Sequence, residues 1–182
     1  GLNTVKEEEI EKRIGLPLKD TFVEEAGLEG ELVDKAIKIY RSKYNEICLN
    51  TVKLFPNVKE TLKKLHERGV IITVASSKGK DALNKLLKNL EISQYISLIF
   101  GEQDVVNKKP APDMALLILK KTNSKAEDTL VVGDTIFDIG MGKAAGCKTC
   151  GVTYGNNTIE QLKEKEPDYI VDDFSKILDI VK

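Results

Sequence analysis

The pattern of apolar and polar positions changes close to residue 54 of this 182-residue chain. Before that point, apolar residues recur at helical spacing, as along Glu31 to Tyr44, and strand-like runs are few. After it, short β-branched runs alternate with amphipathic segments. This alternation predicts a Rossmann-like α/β core, with a doubly wound parallel sheet covered by helices on both faces. We therefore expect a small all-helical domain over residues 1–53 and the α/β core over residues 54–182.

The core pattern divides into alternating strands and helices. The predicted strands are short and rich in β-branched residues, and they cover Val70–Ala75, Ile96–Phe100, Thr129–Val132, Thr149–Thr153 and Tyr169–Val171. The predicted helices carry apolar residues three and four apart, and they cover Val58–Arg68, Asp81–Leu90, Pro112–Thr122, Phe137–Ala145, Ile159–Glu164 and Phe174–Val181. In such a sheet, ligands bind beyond the carboxyl ends of the strands. The residues just past each strand are therefore the candidates for a functional site.

Two of these strand ends carry residues that suit an anion. Ser76 and Ser77 follow the first strand, where hydroxyl and backbone N–H groups near a helix start can bind phosphate. A single serine at this place is more often a helix cap. Lys109 precedes Pro110, which keeps the residue before it extended. We therefore expect Lys109 to be fixed at the edge of the crevice, although an isolated lysine is usually solvated.

A third strand end carries two carboxylates, Asp134 and Asp138, after the glycine that closes the strand. Two carboxylates placed close together repel each other unless a cation, a proton or a lysine lies between them. Mg²⁺ prefers a small number of carboxylates together with water and phosphate oxygens, so both aspartates are candidate metal ligands. In the structural alternative, Asp134 starts a turn and Asp138 lies in the first turn of a helix, where acids suit the dipole. This stretch alone leaves both interpretations open.

Composition narrows the class of protein. A formal net charge of −1 offers no basic stripe for nucleic acid. No apolar run approaches the roughly 18 residues of a membrane span, and no leader pattern is visible, so we expect neither membrane insertion nor export. The 3 cysteines fit a reducing cytoplasm. Cys147 and Cys150 form a C-x-x-C without a second pair, which favours structural cysteines over a zinc site.

Taken together, the motifs resemble the haloacid dehalogenase superfamily, and most closely its phosphoglycolate-phosphatase-like branch. The matching segments are V-A-S-S-K at Val74–Lys78, K-P-A-P-D at Lys109–Asp113, G-D-T-I-F-D-I-G-M-G-K-A-A-G at Gly133–Gly146 and G-V-T-Y-G at Gly151–Gly155. The resemblance implies a Mg²⁺-dependent hydrolase that removes phosphate from a small phosphorylated metabolite through an aspartyl-phosphate intermediate. It also implies that the helical domain is the cap of this family. We expect a cytoplasmic monomer or homodimer.

The resemblance assigns roles to individual residues. Ser76 and Ser77 would bind the phosphate, and Lys109 would orient it, so that Ser76 and Lys109 take part in catalysis. Asp134 would be a Mg²⁺ ligand and Asp138 its supporting acid. The G-D-x-x-x-D form favours a phosphatase over a sugar-phosphate mutase. The physiological substrate is not specified by these motifs.

One family motif has no counterpart in these 182 residues. In the family, an apolar strand that ends in D-x-D-G-T supplies the nucleophilic aspartate and precedes the cap. We expect this strand on an upstream segment, because the sequence starts at Gly1 within the cap-like region. Its place would be the centre of the sheet, between the strands that end at Ala75 and Val132. The chain as given is therefore expected to be catalytically inactive.

Two alternatives belong to other functional classes. A non-catalytic regulatory module could keep the phosphate and metal pocket after losing its nucleophile. A receiver-like signalling domain also groups aspartates, a hydroxyl and a Lys-Pro pair. In receivers the lysine strand comes last, whereas Lys109 precedes Asp134 here, so this alternative is the weaker one.

Overall fold

The computed structural model describes residues 5–11, 14 and 18–181, which form two compact units, Gly1–Val52 and Lys53–Lys182. The described part of the first unit is helical, with α1 at Glu7–Glu11, α2 at Leu18–Glu24 and α3 at Glu31–Thr51. Tyr40 on α3 meets the edge of Phe22 on α2, and it stacks on Tyr44 with ring centroids 5.9 Å apart. Aromatic pairs of this kind stabilise the packing of α2 on α3.

The second unit alternates helices and strands. Its helices are α4 (Val58–Glu67), α5 (Lys80–Asn89), α6 (Asp113–Thr122), α7 (Ile136–Ala144), α8 (Ile159–Glu164) and α9 (Ile177–Ile180). Its strands are β1 (Thr73–Ala75), β2 (Leu98–Phe100), β3 (Leu130–Gly133), β4 (Lys148–Val152) and β5 (Tyr169–Val171). Short 3₁₀ turns lie at Ser93–Tyr95, Glu102–Asp104, Ala126–Asp128 and Phe174–Lys176. Within the described ranges, no helix has both the length and the apolar character needed to cross a bilayer.

Two strands begin more than one residue later than predicted, and one helix begins differently. The apolar run from Val70 enters the ladder only at Thr73, because the N–H of Val70 donates to the Leu65 carbonyl at the end of α4. The second strand begins at Leu98 rather than at Ile96. The last helix starts with a 3₁₀ turn, and the Ser175 N–H in this turn donates to the Asp173 carboxylate.

All described ladders are parallel, which confirms the predicted α/β class. β1 pairs with β2, and in a separate sheet β4 pairs with β3 on one side and β5 on the other. Helix α7 lies very close to β3 and β4, since a Cβ atom on Gly142 would come within 2.6 Å of the Thr149 methyl and 2.9 Å of Val131. This close packing holds the C-terminal half of α7 against β3 and β4.

The edges of β1 and β3 line one open cleft. Thr73 and Ala75 of β1 line this cleft on one side, and Leu130 to Val132 of β3 line it on the other. The open space between them is about 520 Å³. In the part of the chain that the structure describes, neither strand has a ladder partner on its cleft side. This is the position at which the sequence predicts a further strand, and that strand remains a prediction.

Asp168 joins the start of β5 to β4 through a compact hydrogen-bond ring. Its Oδ2 accepts from the Thr149 N–H at 2.7 Å and from the Thr149 hydroxyl at 2.8 Å, and its own N–H donates to that hydroxyl. Thr149 is fully buried. Buried donors that lose their partner destabilise the fold by about 1–3 kcal/mol. The ring therefore contributes to holding β5 in register with β4.

Replacement of Asp168 by alanine is expected to lower the free energy of unfolding by about 1–2 kcal/mol at neutral pH, because Thr149 loses its acceptor. The Thr149 side-chain and backbone hydrogen bonds lower the pKa of Asp168 from its ordinary value of 3.8. The lowered pKa means that the stabilisation is complete well above pH 4 and disappears as the pH falls through the folded-state value.

Urea unfolding of the wild type and of Asp168→Ala, followed from about pH 7 down to pH 3, measures this difference. The gap between the two proteins is expected to narrow below about pH 4. Asp128→Ala, which changes an exposed aspartate in a 3₁₀ turn, is the matched control. A gap of constant size across this range would contradict the role given to the Asp168 carboxylate.

Candidate phosphate- and metal-binding site

Lys109 links the end of β1 to the first turn of α7. Its ammonium group donates to the Ala75 carbonyl at 2.9 Å and to Oδ1 of Asp138 at 2.7 Å. The side chains of Lys109 and Asp138 are only 9% and 13% exposed, so water screens this ion pair little. Lys109 is thus held between the carboxyl end of β1 and the first turn of α7, and it lines the cleft. The cis peptide bond between Lys109 and Pro110 was not predicted from the sequence.

The adjacent Lys108 has a different task. Its ammonium group donates to the carbonyls of Glu102 and Val105, within the loop that follows β2. It therefore stabilises the loop itself, while Lys109 reaches across to β1 and α7. Of these two consecutive lysines, Lys108 stabilises the loop and Lys109 is part of the candidate site.

Asp138 has both of its carboxylate oxygens engaged. Oδ1 accepts from Lys109, while Oδ2 accepts from the Thr135 hydroxyl at 2.6 Å and from the Thr135 N–H at 3.1 Å. Thr135 in return caps α7, so the helix start is a capping box. Gly133 is required beside it, because a Cβ atom there would overlap the Asp138 side chain. Asp138 therefore has two roles. It caps the start of α7, as the structural interpretation of the sequence predicted, and it anchors Lys109.

Asp134 follows the last residue of β3 and is held from one side only. Its Oδ2 accepts from the Asn156 N–H at 2.9 Å and from the Asn156 side-chain amide at 2.5 Å. Its carbonyl accepts from the Asn157 N–H at 3.1 Å. All described hydrogen bonds of the carboxylate end on Oδ2, which leaves Oδ1 as the oxygen that can face a cation.

Ser76 continues the ladder beyond β1. Its N–H donates to the Phe100 carbonyl at 3.0 Å, and its hydroxyl accepts from the Lys78 N–H at 3.1 Å. The cap of α5 is Gly79, so the helix-cap interpretation of Ser76 is wrong for this helix. Ser77 lies in the same loop and is half-buried. The two serines therefore lie in the loop that connects β1 to the start of α5.

Lys109 brings these elements together, because it contacts Ala75, directly before Ser76, and Asp138, one helical turn after Asp134. Among the described residues, no group of three or more His, Cys, Asp or Glu side chains forms a metal centre. A single carboxylate oxygen completed by water and substrate oxygens nevertheless suits Mg²⁺. Asp134 is therefore a candidate ligand that offers one carboxylate oxygen to such an ion.

Comparison with known sequences identifies the family of this chain. A sequence profile of the haloacid dehalogenase-like hydrolases matches residues 1–152. The chain belongs to this family. Membership excludes the receiver-like alternative and confirms the resemblance on which the expected site is based.

Relatives with similar sequences carry phosphatase names. The chain is 38% identical over 141 residues to a phosphoglycolate phosphatase of Salmonella typhimurium, a match that covers 78% of this chain and 56% of that protein. It is 37% identical over 173 residues to a probable phosphatase, IndB, of Dickeya dadantii, which covers 93% of this chain and 75% of that protein. The chain thus spans little more than half the length of the Salmonella enzyme.

Solved structures give the same result for the fold. A predicted phosphoglycolate phosphatase from Haemophilus somnus aligns with a TM-score of 0.87 at 28% identity, over 100% of this chain and 85% of that one. A predicted phosphatase from Clostridium acetobutylicum aligns with a TM-score of 0.83 at 26% identity, over 96% and 81%. The α/β fold of haloacid dehalogenase-like hydrolases is therefore present in this chain.

Other reactive side chains lie away from this hydrolase site or are inert. Cys147 and Cys150 are buried and unbridged, and burial raises the pKa of both thiols, that of Cys150 to about 11. Burial, followed by the charges of Asp173, Cys150 and Asp134, raises the pKa of Tyr154 to about 12. His66 is exposed on α4 beside Tyr95, as the sequence indicates. The raised pKa values keep both thiols and the Tyr154 phenol protonated at neutral pH, so these three groups are not suited to nucleophilic roles there.

Sequence reasoning missed Asn156 and Asn157. Asn157 also accepts the Ile136 N–H on its side-chain oxygen at 2.7 Å, which satisfies a free donor at the start of α7. The signal was present, because both residues follow β4 at the same edge of the sheet as the other candidates. Their amide side chains looked like ordinary turn residues, and their partners lie more than 20 positions earlier.

Proposed function

We propose that this chain acts in a Mg²⁺-dependent phosphatase that hydrolyses a small phosphomonoester through an aspartyl-phosphate intermediate. The observation that carries the proposal is the poorly exposed Lys109–Asp138 pair, which holds an ammonium group at the carboxyl end of β1 beside the open cleft. Lysine is a phosphate-binding residue throughout phosphoryl transfer. A position between strand ends and a helix start suits that role.

Each site residue has a defined part in this scheme. Lys109 neutralises the non-bridging oxygens of the phosphoryl group, and Ser76 and Ser77, with the N–H groups before α5, bind them. Asp134 would hold Mg²⁺, and Asp138 fixes Lys109. The metal, when bound, supplies further charge neutralisation in the transition state. The protein thereby provides an electrostatic cradle built from two strand ends.

The nucleophile, on this proposal, is an aspartate at the end of a strand that occupies the cleft between β1 and β3. Both edges of the cleft offer N–H and C=O groups to such a strand, and its end would lie near Lys109, which lines the cleft. The carboxylate attacks phosphorus, and the alcohol leaves with a proton from the second aspartate of the same D-x-D-G-T motif. Water then hydrolyses the acyl phosphate and releases inorganic phosphate.

The expected substrate is a small phosphorylated metabolite, because the relatives include phosphoglycolate phosphatases. We further propose that residues 1–53 are the cap, that residues 54–182 are the core, and that the protein is a monomer or homodimer. A regulatory module that only binds phosphate and metal is the second candidate. It is favoured by one observation, since the described chain holds the binding residues but no strand in the cleft.

A product assay tests the proposal. The polypeptide, preceded by an apolar strand ending in D-x-D-G-T, is incubated with Mg²⁺ and a panel that includes 2-phosphoglycolate, p-nitrophenyl phosphate and a hexose phosphate. A phosphatase releases inorganic phosphate from at least one of them. A mutase returns an isomeric phosphate, and a binding module leaves the whole panel unchanged. Either of these last two results would overturn the proposed activity.

A further inference from the structure

Asn156 holds one oxygen of Asp134 with two donors. Its backbone N–H lies 2.9 Å and its side-chain amide 2.5 Å from Oδ2, and both belong to the same residue. A carboxylate that receives two N–H donors on one oxygen is fixed in its rotation about the Cβ–Cγ bond. Oδ1 is thereby kept apart as the single oxygen that can meet a ligand.

The loop that carries Asn156 is itself tightly fixed. A Cβ atom on Gly155 would overlap the Asp134 side chain, so only glycine allows the loop to approach this closely. Asn157 donates its N–H to the Asp134 carbonyl and accepts from the N–H of Ile136. Its side-chain amide also donates to Gln161 in the first turn of α8. The loop after β4 therefore grips both the backbone and the carboxylate of Asp134.

The two hydrogen bonds from Asn156 to Asp134 affect which cation the carboxylate binds preferentially. Mg²⁺ is small and takes carboxylates through one oxygen in near-octahedral geometry, whereas Ca²⁺ readily accepts both oxygens of one carboxylate. A carboxylate whose second oxygen is occupied by two N–H donors can offer only one oxygen. Such an arrangement favours the smaller ion.

We propose that Asn156 is a positioning residue that presents Asp134 to the metal through one oxygen and thereby sets the preference for Mg²⁺ over Ca²⁺. This inference rests on the proposed function, because it takes Asp134 as the metal ligand. It goes beyond the proposed function by giving Asn156, in the loop after β4, a role in selecting Mg²⁺ over Ca²⁺. Loss of a hydrogen-bond partner of a metal ligand typically weakens metal binding by about 10–100-fold.

Equilibrium binding of Mn²⁺ to the full 182-residue chain, followed by electron paramagnetic resonance, tests the inference without any need for turnover. Mg²⁺ and Ca²⁺ are then added as competitors to obtain their relative affinities. The variants are Asn156→Ala and Asn156→Ser, which keep the backbone N–H, and Asp134→Ala. Asn107→Ala is the matched control, because Asn107 also donates its amide to an aspartate, Asp113, at 2.9 Å.

We expect Asn156→Ala and Asn156→Ser to weaken Mn²⁺ binding by about tenfold and to shift competition towards Ca²⁺, with Asn107→Ala unchanged. Unchanged affinity and selectivity in both Asn156 variants, with binding lost in Asp134→Ala, would overturn the inference and leave the proposed function standing. Binding that survives in Asp134→Ala would overturn the proposed metal role and the inference together. Circular dichroism of each variant verifies that it is folded.

Discussion

Replacement of Lys109 by alanine is expected to reduce turnover by about 10²–10³-fold and to destabilise the fold by about 3 kcal/mol. The loss of turnover follows from removing the cation that neutralises the phosphoryl oxygens. The loss of stability follows because the Asp138 carboxylate, 13% exposed, loses its ion-pair partner. Phosphate release by the strand-extended polypeptide and urea unfolding of the 182-residue chain measure the two effects separately.

A second substitution separates stability from catalysis. Adding Asp138→Asn to Lys109→Ala removes the unpaired charge, so the double variant is expected to be more stable than the single one but equally inactive. Lys125→Ala serves as the control, since Lys125 and its partner Glu127 are each 75% exposed and such pairs contribute little. Full activity in the Lys109→Ala protein would refute the role of this residue.

Replacement of Gly155 by alanine is expected to weaken Mn²⁺ binding at least about tenfold and to lower the free energy of unfolding by about 1–3 kcal/mol. The added methyl group would come within 2.6 Å of the carboxylate carbon of Asp134 and overlap the Cβ atom. Either Asp134 or the loop must then move, and the carboxylate loses the position that suits a cation. Binding titration and urea unfolding measure the two effects.

The control for this steric effect is Gly79→Ala. A Cβ atom on Gly79 would meet only Glu102 Oε1, at 3.8 Å, which is an ordinary contact. We therefore expect Gly79→Ala to bind Mn²⁺ as the wild type does. If Gly155→Ala bound Mn²⁺ as tightly as Gly79→Ala, the close approach of the loop would have no bearing on Asp134.

The fold was largely predictable because each element has a local signal. Leu62 and Leu65 mark one face of α4 and are both buried, and the short β-branched runs after Gly69 and Asp128 became β1 and β3. The exact start of β1 was not predictable. Apolar character continues through Val70, but pairing depends on where β2 runs alongside and on the helix end that holds Val70.

The site was predictable to the level of residue positions but not of contacts. The rule that ligands bind at the carboxyl ends of parallel strands indicated Ser76, Lys109 and Asp134. It could not indicate that both carboxylate oxygens of Asp138 would accept hydrogen bonds, one from Lys109 and one from Thr135. It also could not indicate the Asn156 clamp, because a hydrogen bond across 22 residues leaves no periodic mark in a sequence.

The most direct test of the central claim is the hydrolysis of p-nitrophenyl phosphate, with and without Mg²⁺, by two polypeptides. One is the 182-residue chain alone, and the other is the same chain preceded by an apolar strand ending in D-x-D-G-T. We predict Mg²⁺-dependent hydrolysis by the second polypeptide only, and its loss when the first aspartate of that motif becomes asparagine. Hydrolysis by the chain alone at the same rate, or none by a folded extended polypeptide, would contradict the account.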